Sequence, residues 1–194
     1  MIVGLTGSIG MGKSTTAAMF RARGIPVWDA DATVRRFYAK DGAAVDVLRA
    51  RFPSVVVDGA VSRDALKSLI AVDQEVLKQL EAIVHPLVAA DRQVFLDRHQ
   101  RDLVILDIPL LFEIGADADV DKIIVVSISR DIQRERVLAR GTMTEAEFDT
   151  ILAKQLPDAE KRRRADYVIE TTSTEEAERQ VSEILEDLKG QDHA

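Results

Sequence analysis

Eight consecutive residues near the start of the chain place a lysine and two serines in a glycine-rich setting: Gly7-Ser8-Ile9-Gly10-Met11-Gly12-Lys13-Ser14. They satisfy the pattern G-x-x-x-x-G-K-[ST] without a gap. Glycines let backbone N–H groups curl around an anion, and a helix opening near Lys13 aims its positive dipole end at the same charge. The Lys13 ammonium then suits the β- and γ-phosphates of a nucleoside triphosphate, and the Ser14 hydroxyl suits Mg2+. The pattern implies a nucleoside triphosphate site and is silent on what becomes of the nucleotide.

Three acids stand at the ends of short apolar runs. Asp29 and Asp31 follow the run from Pro26 to Trp28, and Asp107 closes Val104-Ile105-Leu106-Asp107, which has the form of a Walker B strand. If these runs are strands of one parallel sheet, all three acids emerge at the edge that holds the phosphate loop. One acid there can hold Mg2+ through water, and another can orient or deprotonate an attacking hydroxyl. Asp29 has a second reading, as the N-cap of the helix that follows it. Arg134, Arg136 and Arg140 come after the fourth run, then Lys154, Gln155 and the basic run Lys161-Arg162-Arg163-Arg164. Arginine on a mobile lid neutralises charge on a transferring phosphoryl group. Arg136 and Arg140 are assigned that work, and Arg163 and Arg164 read as a solvated basic face.

These residues need elements that gather them. The runs 2–6, 26–28, 103–106, 122–126 and 167–169 are short, rich in Val and Ile and do not alternate. That is the pattern of strands buried on both faces, as in a parallel sheet. Helical spacing between them argues for βαβ connections and an α/β fold. The spacing predicts a helix over 13–23, stopped by Gly24 at its C′ position. From Asp31 to His99 the spacing is helical, with Pro53 and Pro86 as breaks, so a helical insertion is expected to form its own lobe. Thr144 with Glu147, and Ser173 with Glu176, read as capping boxes. The second opens a last helix whose Ala177, Val181, Ile184, Leu185 and Leu188 form one core-facing stripe.

Composition narrows the class. The 194 residues suit one domain with insertions, and 46% hydrophobic with 30% charged residues is ordinary for a folded globule. With no Cys, disulfides, thiolate zinc sites and thiol nucleophiles are excluded. The apolar runs are far below the roughly 18 residues of a membrane helix, and the N-terminus lacks a basic leader, so a cytoplasmic protein with no membrane partner is expected. A net charge of −7 disfavours a nucleic-acid partner. Much of that charge is local: from Glu175 to the end, Asp192 included, seven acids face two bases, leaving −2 for the first 174 residues.

In chain order, several stretches resemble the dephospho-CoA kinase family. They are Gly4 to Gly7 through Lys13-Ser14-Thr15, Asp29-Ala30-Asp31 with Arg35, His85-Pro86-Leu87, and Asp107-Ile108-Pro109-Leu110-Leu111-Phe112-Glu113. Arg136 with Arg140, Gln155, Lys161-Arg162 and Ala165-Asp166-Tyr167-Val168-Ile169 complete the set. The resemblance implies a P-loop kinase fold: a five-stranded parallel sheet flanked by helices, with a helical substrate lobe and a lid. The single domain of residues 1–194 then divides into a core (1–31, 102–135 and 165–194), a lobe (32–101) and a lid (136–164). It implies ATP and Mg2+, and transfer of the γ-phosphoryl group to the ribose 3′-hydroxyl of dephospho-CoA. Gly7 through Thr15 and Arg136 would contact ATP, while Ser14 and Asp107 would serve the metal. Lys13, Asp31 as base and Arg140 would be catalytic; Asp29, Asp31, Arg35, His85 and Leu111 would contact the substrate. His85, lying before a proline, also reads as a structural cap. Two positions depart from the family pattern: Glu170-Thr171-Thr172-Ser173 stands where a D-N-x-G run is common, and Gly141 where Asp is common. Another small-molecule or nucleoside kinase would share Lys13 and the lid. A switch or motor ATPase fits less well, because no N-K-x-D run is found and Ile108, not Glu, follows Asp107.

Overall fold

The computed structural model describes residues 1–191; residues 192–194, with Asp192 of the acidic tail, lie outside the described residues. In chain order the elements are β1 (Ile2–Thr6), α1 (Lys13–Ala22), β2 (Val27–Asp29), α2 (Ala30–Tyr38), α3 (Val45–Arg51), β3 (Val56–Val57) and β4 (Ala60–Val61). There follow α4 (Arg63–Val72), α5 (Glu75–Arg98), β5 (Val104–Asp107), β6 (Lys122–Ser127), α6 (Arg130–Ala139), α7 (Glu145–Ala153), α8 (Asp158–Arg164), β7 (Tyr167–Glu170) and α9 (Thr174–Gln191). The chain divides into two compact units: Met1–Trp28 with the chain from Arg101 onward, and Asp29–Gln100.

The first unit is built on a five-stranded parallel sheet in the order β2-β5-β1-β6-β7. Every strand lies within one residue of an apolar run. β1 is central, with Gly4 opposite both Leu106 and Ile123. Val3, Leu5, Ile105, Ile124, Val126 and Ile169 pack with Ala17 and Phe20 of α1 and with the Val181, Ile184, Leu185 and Leu188 stripe of α9. Burying such a side chain contributes about 1.5–3 kcal/mol, and the stripe therefore anchors α9. α1 ends in a Schellman motif: Ile25 N–H donates to Phe20 O and Gly24 N–H to Arg21 O, with Gly24 at φ +78°. The Thr144–Glu147 capping box closes in both directions at the start of α7. At α9, Ser173 Oγ accepts from Glu176 N–H at 3.1 Å, while the Glu176 carboxylate pairs with Arg179.

The second unit has its own core of Phe37, Val45, Leu48, Phe52, Val55, Leu66, Val76, Leu80 and Val84. Pro53 does break the chain, opening a short 3-10 turn after α3. Pro86 does not: it lies inside the 24-residue α5. The N–H it lacks would have bonded the carbonyl of Ala82, and both residues are exposed, so water can take that carbonyl. Buried Val76, Leu80 and Val84 hold the other face of the helix. The lobe also contains a β-hairpin, β3–β4, that helical spacing did not announce. Its two-residue turn is Asp58-Gly59, with φ +50° and +81°, the pairing a type I′ turn requires.

Candidate active site

The glycine-rich loop joins β1 to α1. Gly10 and Gly12 have φ +81° and +94°, where side chains are strained, and Gly12 is the N-cap of α1. A Cβ on Gly7 would sit 2.7 Å from the Val126 carbonyl, so β6 and the loop touch backbone to backbone. Neighbouring elements hold the loop. Thr171, just past β7, donates its hydroxyl to Met11 O at 2.8 Å. Arg136 donates to Thr171 Oγ1 at 3.0 Å and to Thr171 O at 2.6 Å. Ile128 N–H reaches Met11 Sδ at 3.2 Å. Gln133 Nε2 donates to Ile9 O at 2.7 Å, and Ile9 N–H donates to Gln155 Oε1 at 3.3 Å.

Lys13, the first residue of α1, forms an ion pair with Asp107, the last residue of β5. Asp107 is 2% exposed and Lys13 13%, so the pair is sheltered at the sheet edge that carries the loop. Ser14 is exposed on the first turn of α1. A hydroxyl and a carboxylate are the hard oxygen donors Mg2+ prefers, usually beside substrate phosphates and water. Ser14 and Asp107 therefore fit that ion. Leu111 is different. Its side chain is fully buried, and a Cβ on Gly4 would meet it at 2.9 Å. It packs on β1.

The arginines divide by environment. Arg140, the exposed C-cap of α6, and Arg136 line a cavity of about 180 Å3 with Gly10, Gly12 and Thr15. Arg134 pairs with Glu145, and Arg163 with Glu160 on the surface. Arg164 is more than a solvated charge: it pairs with Asp117 and lies 4.4 Å from the Phe112 ring centroid. Lys161 is fully buried, with Nζ 2.9 Å from Glu113 Oε1, which also accepts from Leu156 N–H at 2.8 Å. Burial pushes the Glu113 carboxyl up, but the Lys161 ammonium beside it and backbone hydrogen bonds outweigh it and hold it below the usual carboxylate range. A larger cavity, about 850 Å3, adjoins the loop at Ser8 and is lined by Ser127, Gln133, Gln155, Asp158 and Arg162 among others.

The remaining expected residues belong to the second unit. Asp29 Oδ1 accepts from Ala32 N–H at 2.8 Å, so Asp29 is the N-cap of α2, and its other oxygen lies 4.0 Å from Arg35. Asp31 is exposed in the first turn of α2. His85 is exposed in the middle of α5 and caps nothing there. Gln133 and the support given by Thr171 escaped the sequence reading. A glutamine in a polar helix carries no signal, and Thr171 drew notice only as a departure from a family pattern.

A parallel sheet whose central strand feeds a G-x-x-x-x-G-K-S loop, with an aspartate from the neighbouring strand on the loop lysine, defines a P-loop kinase fold. Comparison with known proteins narrows the class. The family model described as dephospho-CoA kinase matches residues 1–176. A dephospho-CoA kinase from Ruegeria pomeroyi is 54% identical over 99% of this chain and 98% of its own length. A solved structure of TT1252 from Thermus thermophilus is 38% identical, with a TM-score of 0.85 over 97% of both chains. A dephospho-CoA kinase from Campylobacter jejuni, 23% identical, shares the fold at a TM-score of 0.72 over 98% of both chains. The chain belongs to the dephospho-CoA kinase family, the enzymes of the last step of coenzyme A biosynthesis. Neither a nucleoside kinase nor a switch ATPase is favoured.

Proposed function

We propose that the chain transfers the γ-phosphoryl group of ATP to the ribose 3′-hydroxyl of dephospho-CoA, releasing CoA and ADP, in the cytoplasm where ATP is kept. The observation that carries this reading is the Lys13–Asp107 pair at the sheet edge below the phosphate loop. Lys13 would exchange part of its contact with Asp107 for the β- and γ-phosphates, while backbone N–H groups from Gly7 to Thr15 cradle them. Mg2+, held through Ser14 and Asp107, would supply neutralisation of the phosphate charge. Asp31 is assigned as the base that takes the 3′-hydroxyl proton, with Asp29, Arg35 and His85 on the substrate side. Residues 32–101 serve as the substrate lobe and 136–164 as the lid. Arg140, exposed beside the smaller cavity, neutralises charge on the transferring group; Arg136 contributes to the nucleotide site while bracing Thr171.

The test is product identification after incubation with MgATP and dephospho-CoA. ADP release that depends on dephospho-CoA, with one phosphoryl group added at the ribose 3′ position, is expected. ADP release at the same rate without the acceptor, or phosphorylation at another hydroxyl, overturns the assignment.

A further inference from the structure

Ile9, in the middle of the phosphate loop, is gripped at both of its backbone polar groups by side chains from outside the loop. Its carbonyl accepts from Gln133 at 2.7 Å, and its N–H donates to Gln155 at 3.3 Å. Gln133 is 1% exposed, on α6, and its own N–H is bonded to Ser129 O. Gln155 follows α7, and its N–H is bonded to Leu152 O. α6 leaves no slack against the loop: a Cβ on Gly10 would stand 2.4 Å from Val137 Cγ2 and 3.3 Å from Gln133 O. A loop with glycines at positive φ has many conformations to lose, and fixed geometry is what a phosphate cradle supplies to catalysis.

We infer that Gln133 and Gln155 are positioning residues that set the phosphate loop for nucleotide, acting on Ile9 with opposite polarity, Gln133 as donor and Gln155 as acceptor. The inference rests on the reading that this loop binds the ATP phosphates. The polarity is fixed by the main chain, because a carbonyl can only accept and an N–H can only donate. Gln155 lies in the segment assigned as the lid, so lid position and loop geometry meet at one residue.

Opposite polarity gives a test that a merely structural role does not pass. Glutamate has nearly the shape of glutamine, but its carboxylate accepts and does not donate. Gln155→Glu keeps the acceptor that Ile9 N–H needs. Gln133→Glu sets a carboxylate against the Ile9 carbonyl. Both variants place the same charge beside the same residue, so repulsion of ATP is common to them; hydrogen-bond polarity differs, and so does burial, which the uncharged Gln155→Met comparison at one position removes. At about pH 8 the KM for ATP of Gln133→Glu is expected to exceed that of Gln155→Glu by about tenfold or more, with kcat changing less. As pH falls toward about 5.5, the introduced carboxyl at 133 takes up a proton and can donate, so the gap closes. Equal KM values at every pH overturn the inference.

Circular dichroism and thermal melting establish that each variant is folded. Should Gln133→Glu not fold, Gln155→Met is compared with Gln155→Glu. The methionine carries no charge and no amide acceptor, and its KM for ATP is expected to be higher than the glutamate's by about threefold or more. A KM at or below it overturns the inference. Wild-type ADP release on addition of dephospho-CoA is the control: its failure removes the proposed function. Calorimetric titration with MgADP then ranks the same variants independently of turnover.

Discussion

At the scale of single residues, Lys13 and Asp107 serve two ends. The pair shelters a carboxylate that is 2% exposed and sets a cation where triphosphate is expected. Lys13→Ala is expected to remove most turnover and to lower stability by about 1–3 kcal/mol in urea unfolding, because a buried acid loses the Lys13 ammonium. Asp31 and Arg140 are exposed. Asp31→Ala is expected to abolish most transfer while leaving the melting temperature in place; near-normal turnover would move the base elsewhere. Arg140→Ala is expected to lower turnover by on the order of 10² or more, with unfolding unchanged. An unchanged rate would move the lid role to another cation. The loop's place and geometry were legible at this scale because a motif fixes both type and spacing from Gly7 to Ser14. Roles that depend on what a side chain meets across the fold were illegible. Burial of the Leu111 side chain against Gly4 could not be read from its motif, and Gln133 looked like nothing yet holds the loop.

At the scale of elements, α8 is tied to the segment after β5 by the buried Lys161–Glu113 pair. Lys161→Met is expected to cost about 3–5 kcal/mol by denaturant unfolding, since it leaves Glu113 without its cation. The double variant Lys161→Met/Glu113→Leu is expected to recover most of that loss. The pair also sets an acid limit. Because the folded Glu113 carboxyl is held below its ordinary value, its contribution is complete above that value and fades as pH falls through the lower, folded one. Stability measured below about pH 4.5 should therefore fall less steeply in Glu113→Gln than in the wild type. Legibility at this scale followed periodicity. Five strands and the stripe of α9 were plain because burial on two faces or on one face leaves a period in the sequence. Pro86 misled, because an exposed proline inside a well-anchored helix costs less than the local rule assumes. The short β3–β4 hairpin was hidden because two-residue strands carry no period; Asp58-Gly59 was its one local signal.

At the scale of the whole chain, the described residues form two units with separate hydrophobic cores. Leu48 is fully buried in the second, and Leu48→Ala is expected to cost about 2–5 kcal/mol. Amide hydrogen exchange is expected to rise across residues 29–100 well before it rises in β1, β5 and β6, if each core protects its own unit. Uniform acceleration along the chain would show that the two cores melt as one. In the sequence, the second unit coincides with a long helical gap between the second and third apolar runs. The net charge was a poor guide: a sum of −7 gave no hint of the cations placed around the loop and α6.

Thr171 ties these scales to descent. Its hydroxyl holds the Met11 carbonyl, and its side chain is what a Cβ on Gly12 would strike at 3.1 Å. It stands where the family pattern often carries asparagine, whose amide can also donate to a carbonyl. A threonine hydroxyl and an asparagine amide are both donors, so the departure leaves a donor at this position. At position 12 the φ of +94° demands glycine whatever stands at 171, whereas at 171 a side chain without a donor is expected only in lineages where something else has come to hold Met11.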